Sequence, residues 1–124
     1  MYTIKIDPIA KGRPRFARNG HAYTPEKTRI CEEELKVLLR RKKLPIIPKG
    51  KAISLILVFR IKKPKSNKTE YHTQKPDSDN LEKMFMDAAN GILWHDDCQV
   101  VQKYTYKGWS STAGYINFNV EALN

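Results

Sequence analysis

Pro76-Asp77-Ser78-Asp79-Asn80-Leu81-Glu82-Lys83-Met84-Phe85-Met86-Asp87-Ala88-Ala89-Asn90-Gly91 is the stretch whose reading decides the fold. Leu81, Met84, Phe85, Ala88, Ala89 and Ile92 recur at helical spacing, which predicts a helix with one core-facing stripe, started at Asn80 by an Asp79 cap and closed by Gly91. Upstream, the run from Ala52 to Ile61 is apolar at nearly every residue and rich in β-branched side chains, so it reads as a central strand covered on both faces. Downstream, Gln99 to Lys107 and Tyr115 to Glu121 read as two strands, and the link Gly108 to Gly114 is long enough for a hairpin loop.

The amino-terminal half completes the order of elements. Tyr2, Ile4 and Ile6 alternate with polar residues as in a half-buried strand that Pro8 ends. Lys11 to His21 combines four bases, Phe16, Pro14 and two glycines, and reads as a loop or loose hairpin. Thr24-Pro25-Glu26 is a helix start, and the helix runs to about Lys43 with Ile30, Val37, Leu38 and Leu44 as its apolar stripe. Leu44 to Gly50 is a Pro-punctuated connector, and Lys62 to Lys75 is a polar, basic loop without periodicity. The expectation is an α/β (α+β) single domain over residues 1–124, a mixed sheet of about four strands covered by two helices.

A chain of 124 residues buries roughly two-thirds of its unfolded surface without disulfides or structural metal. Cys31 and Cys98 are too few and too far apart for a disulfide framework or a zinc site, and read as reduced thiols. Without an apolar leader or a membrane-length apolar run, the expected location is cytoplasmic, with no membrane partner.

Charge gives the chemistry. The protein carries +10, yet Pro76 to Asp97 holds six of its thirteen acids against one base, Lys83, so that stretch sums to −5 and the remainder to +15. An excess of Lys and Arg suits a phosphate backbone, where each neutralised phosphate releases counterions. In the basic arm, Lys11, Arg13, Arg15 and Arg18 would grip phosphates while Phe16 stacks or wedges against bases, with Lys75 adding a contact beside the acids. A solvated loop with Phe16 in the core is the bland alternative.

Asp77 and Asp79, two apart after Pro76, project to one side if the chain there is extended. They could then share Mg²⁺, which takes a couple of carboxylates with water and substrate phosphate. Lys83, four residues after Asp79, could reach the same pocket and stabilise phosphate charge, or simply form a surface ion pair. Asp87 is expected to pair with Lys83 and, like Glu82, to be surface charge. His95 reads as a loop residue that could assist as base or ligand. The helix carries the chain roughly 16 Å away, and residues 91–97, if extended, span roughly 23 Å back. Asp96 and Asp97 can therefore meet Asp77 and Asp79 in the same chain, or Asp97 completes the site of a neighbouring subunit.

Lys75-Pro76-Asp77-Ser78-Asp79-Asn80-Leu81, then Asp87-Ala88-Ala89-Asn90-Gly91-Ile92, then Asp96-Asp97-Cys98-Gln99-Val100-Val101 resemble the RusA family of Holliday junction resolvases. Gly12-Arg13-Pro14-Arg15-Phe16 and Tyr23-Thr24-Pro25 are similar to its phage and prophage branch. The resemblance implies a homodimeric, Mg²⁺-dependent endonuclease, without organic cofactor, that nicks four-way DNA junctions symmetrically. It also implies catalytic Asp77, Asp79, Asp97 and Lys83, with Asp96 a lesser partner at the metal. A flap or general structure-selective endonuclease, and a non-catalytic basic DNA-binding protein, are the rival readings.

Overall fold

The computed structural model describes residues 1–12, 15–20, 22–23 and 25–123, the side chains of 15, 16, 22 and 23 excepted. Its organising strand is the apolar run: β4 (Ile53–Lys62) lies between β5 (Val100–Ser110), parallel to it, and β6 (Tyr115–Ala122), antiparallel. β1 (Tyr2–Ile4) pairs antiparallel with the far side of β6, giving the sheet order β1-β6-β4-β5. Two short strands, β2 (Arg15–Phe16) and β3 (Ala22–Tyr23), form a separate hairpin in the basic arm, with Gly20 at φ 84° in its turn.

Both helices lie on one face of the sheet. α1 (Glu26–Arg41) and α2 (Ser78–Ala89) pack against each other, and the core between them and the sheet holds Ile4, Leu35, Leu39, Leu55, Leu57, Phe59, Phe85 and Phe118. On α2 the buried residues are Leu81, Met84, Phe85, Ala88 and Ala89, as the periodicity predicts. α2 is the crossover between parallel strands β4 and β5, the connection that a parallel pair requires.

Four expectations need correction. Burial alternates along β4, with Ile53, Leu55, Leu57 and Phe59 buried and Ser54, Ile56, Val58 and Arg60 only partly so, because neither described helix covers the second face of the sheet. β5 and β6 are not a hairpin, since β4 separates them and Ser111 to Gly114 pass across its end. The inward side of α1 is Thr28, Cys31, Leu35 and Leu39, while Ile30 and Val37 are exposed. That stripe contains one threonine and one cysteine, which hid it among more hydrophobic residues. Finally, α2 begins at Ser78, so Asp77 rather than Asp79 stands at its N-cap position. Thr24, the expected cap of α1, lies outside the described residues.

A part-buried ion triad ties the two helices together. The Lys11 ammonium lies 2.6 Å from Glu32 of α1 and 3.2 Å from Asp87 of α2, and the Lys11 N–H donates to the Asn80 carbonyl. Burial alone would lower the Lys11 pKa, but the bonds to Glu32 and Asp87 outweigh it and raise the pKa. Lys11→Met would leave two carboxylates facing each other across the helix pair. The expected loss is about 1–3 kcal/mol of unfolding free energy, read by denaturant titration at neutral pH; an unchanged midpoint would show that the triad contributes nothing. Because the folded pKa is raised, this stabilisation is complete below the unfolded value near 10.5 and is lost as pH rises through the folded one.

Candidate active site

The acidic stretch sits on a platform made by the inward-facing side of edge strand β5. Alternation along that strand brings Lys103, Thr105, Lys107 and Trp109 to the side covered by α2 and its leading loop. The Lys103 ammonium pairs with Glu82 at 3.2 Å, and the Thr105 hydroxyl donates to the same carboxylate. Lys107 donates to the carbonyls of Gln74 at 2.7 Å and Pro76 at 3.0 Å, pinning the backbone immediately before Asp77. The Lys75–Pro76 peptide bond is cis. Glu82 is therefore a part-buried anchor, not the surface charge its position suggests.

One further contact secures the loop. The His72 ring stacks on Trp109 at 3.9 Å between centroids and is buried. Burial, and then the Lys107 charge, hold its pKa below the ordinary histidine value. The neutral imidazole is thus the form that fits. A group with a depressed histidine pKa stabilises the fold fully above about pH 6.5, and that contribution is lost as pH falls through the folded value. Acidification below pH 6.5 is expected to loosen the loop, seen as a Trp109 fluorescence transition and faster amide exchange at residues 63–76. His72→Phe should abolish the transition; its persistence would assign the change to another group.

The predicted site residues divide sharply by what they touch. Asp77 is extended at φ −72° and ψ 146°, makes no capping bond with its side chain, and is exposed. Asp79 is exposed in the first turn, and neither carboxylate has an ion pair or hydrogen bond among the described residues. Both stand at the positive end of the helix macrodipole, which favours anionic groups there. Lys83 is exposed one turn later and has no ion pair or hydrogen bond among the described residues, since Asp87 bonds Lys11 instead. Lys75 and Arg18 are exposed. Lys11 is withdrawn from the expected phosphate contacts because Glu32 and Asp87 occupy its ammonium. Arg13 and the side chains of Arg15 and Phe16 lie outside the described residues.

The second acidic group is somewhere else. After α2 the chain turns at once: Gly91 at φ 80° donates its N–H to the Trp94 carbonyl, and the fully buried Trp94 indole donates to Asn90 Oδ1 at 2.7 Å. Burial of Leu93 and Trp94 holds the following residues at the C-terminal end of α2. Asp96 then caps a 3-10 turn over Asp97–Gln99, its carboxylate accepting from the Cys98 N–H at 3.1 Å, and that bond holds its pKa below the usual carboxylate range. Gln99, buried, fixes the turn by accepting from the N–H groups of His95 and Asp96 and donating to the carbonyls of Pro48 and Lys51. Asp96 is thus explained by capping instead of metal binding, and His95 is exposed.

Asp97 consequently stands beside Val100, at the start of β5, whereas Asp77 stands beside Lys107. Seven residues of strand separate those positions, roughly 23 Å. The chain does not return along the helix as an extended span would allow. Among the described residues no three carboxylates, histidines or cysteines lie close enough to share a metal ion. Two free carboxylates suit one hard cation; the expected set of three does not assemble within one chain.

Glu82, Lys107, His72 and Trp109 escape sequence reading because each looks like surface charge or loop. The signal that could have found three of their contacts is the period-two spacing of Lys103, Thr105, Lys107 and Trp109 in a strand beside an acidic helix. A cleft of about 760 Å³ between the end of β1 and α1, lined by Ile6, Ile30 and Cys31, contains none of these residues. No described helix is long and apolar enough to cross a membrane.

The chain is similar to an uncharacterized protein, YqaN, of Bacillus subtilis (strain 168), with 31% identity over 123 residues, 88% of this chain and 87% of that one. The family model described as endodeoxyribonuclease RusA matches residues 5–120, so nearly the whole domain, including both acidic groups and the β5 platform between them, belongs to the RusA endodeoxyribonuclease family.

Proposed function

We propose that this protein is a Mg²⁺-dependent, homodimeric endonuclease that resolves four-way DNA junctions by paired symmetrical nicks. One observation carries the reading: of the acids between residues 76 and 97, Glu82, Asp87 and Asp96 are committed to Lys103, Lys11 and the Cys98 N–H, while Asp77 and Asp79 are exposed and uncommitted. Free like charges at a helix N-terminus, in a protein whose remaining residues sum to +15, have an evident use in holding a divalent ion against phosphate.

Asp77 and Asp79 would hold the ion, which when bound supplies Lewis acidity at a phosphoryl oxygen. Lys83 would place its ammonium against charge developing on the scissile phosphate. Lys107 and His72, through the loop backbone, would keep Asp77 at the mouth of the site instead of letting it drift. Lys75 and Arg18 would meet phosphates at the rim. A twofold dimer suits a substrate with near-twofold symmetry and two strands to cut.

The test is cleavage of a four-way junction against a flap at matched salt with Mg²⁺. A junction preference is the expected result. Equal rates would favour a general structure-selective nuclease, and binding without cleavage of either substrate would favour a non-catalytic DNA-binding protein.

A further inference from the structure

The basic arm is closed at its base. Gly12 stands against Pro25 and Thr28 at the start of α1, so the two ends of the segment 13–24 meet. The Gly12 N–H donates to Thr28 Oγ1 at 3.2 Å, and the preceding Lys11 N–H donates to the Asn80 carbonyl at 3.0 Å. Thr28 is the third residue of α1 and Asn80 the third of α2, so this neck is fixed to the first turn of both helices. That is the end of α2 where Asp77 and Asp79 stand, Asp79 being next to Asn80. The Lys11 ammonium, held by Glu32 and Asp87, adds a third tie.

Two residues of the neck are specified by it and by little else. Thr28 is buried in the inward stripe of α1, where an apolar residue would fill the same space, and its hydroxyl oxygen is what Gly12 uses. Gly12 is not in the left-handed region, so what it supplies is room: a Cβ there would lie 2.7 Å from Thr28 Oγ1, while its next neighbour, Pro25, would be at an ordinary 3.5 Å. A part-buried N–H needs such an acceptor, and a segment whose ends are held together has less freedom to lose on binding than one loose at its base. We propose that Thr28 is a positioning residue for DNA: by accepting from Gly12 it pins the neck, so that the basic arm leaves the body at the Asp77 end of α2 already ordered before DNA arrives. The proposal rests on the nuclease reading for its use of DNA and on the fold alone for the neck.

Thr28→Val keeps the shape and removes the acceptor. Measured without Mg²⁺, its affinity for a four-way junction should fall about three- to tenfold, the equivalent of one net hydrogen bond. The slope of affinity against salt should not change, because every base remains and only the ordering is deferred to binding. Arg18→Ala, which removes a charge, should flatten that slope, and Thr28→Ser, which keeps the hydroxyl, should restore wild-type affinity. Space gives an independent check: Gly12→Ala should weaken binding in the wild type and have little further effect in Thr28→Ala, where the atom it would strike is gone. Wild-type affinity or a flattened slope in Thr28→Val, equal losses in Thr28→Val and Thr28→Ser, or additive losses in Gly12→Ala and Thr28→Ala would each overturn the proposal. The neck itself is read without DNA, by a nitroxide on Ala17→Cys, an exposed position of the arm, in a Cys98→Ser background that leaves only the buried Cys31. Thr28→Val should sharpen its spectrum while the circular dichroism stays that of the wild type, and no sharpening would sink the neck whether or not the protein binds DNA. A wild type that neither binds nor cuts the junction, with the sharpening intact, would refute the nuclease reading and with it the neck's use for DNA.

Discussion

Asp77→Asn is expected to lower Mg²⁺-dependent junction cleavage by about 10²–10³-fold or more, the usual cost of removing one group that stabilises a transition state, while leaving the fold untouched. The second half of that expectation follows from geometry. The Asp77 carboxylate makes no capping bond and is exposed, and Asn is as good an N-cap residue as Asp, so the stability change should stay within the roughly 0.3–1 kcal/mol that a charge at a helix N-terminus contributes. Junction binding should be retained or tighten, because a negative charge facing phosphate has been removed. Asp87→Asn is the informative contrast. Its carboxylate bonds Lys11, so the change should weaken the helix pair and leave the chemical step alone. If Asp77→Asn cleaves at the wild-type rate, the metal reading of the α2 N-terminus is wrong; if Asp87→Asn abolishes cleavage without loss of stability, the division of the acids into free and committed groups is wrong.

The sequence foretold what depends on short-range pattern. The α2 stripe, the Gly91 terminator, the alternation at Ile4 and Ile6, and the hairpin in the basic arm all rest on spacings within one element. The errors lie where an outcome depends on which element comes alongside. An apolar run such as β4 reads as buried on both faces, yet nothing in its residues states that both helices choose the same face. Lys11 reads as a phosphate contact because its neighbours in sequence are basic, whereas its neighbours in space are Glu32 and Asp87. The distance from Asp77 to Asp97 is the sharpest instance. A contour length permits return along the helix, but Trp94, too large and apolar to leave the core, stops the chain at the far end of α2. Long-range packing of one side chain thereby keeps Asp97 away from Asp77 and Asp79 within the chain.

Gln99→Leu is expected to cost about 2–4 kcal/mol of stability, because it removes four hydrogen bonds at one buried side chain and leaves donors and acceptors without partners. For a domain of this size that is a fall in Tm of roughly 10 °C. The four bonds do different things. Two come from the backbone N–H groups that lead into the 3-10 turn carrying Asp97: the Asp96 N–H closes the capping box, and the His95 N–H adds a second bond to the same oxygen. Two, to the Pro48 and Lys51 carbonyls, tie that turn to the connector leading into β4. Gln99→Glu separates them, since an ionised carboxylate accepts from the first pair but has no proton to donate to the second. At neutral pH it should therefore be destabilised, by less than Gln99→Leu if the capping half dominates and by more if the carboxylate is repelled by the two carbonyls. The protonated acid regains one donor, so the folded-state pKa of Glu at this position should be raised above its unfolded value. Its stability relative to wild type should then be best below about pH 4.3 and worsen as pH rises through the raised value. Denaturant titrations at three pH values would read this directly. A Gln99→Glu deficit that does not change with pH would show that the Pro48 and Lys51 bonds contribute little, and that the position of Asp97 is set by Trp94 and the Asp96 cap alone.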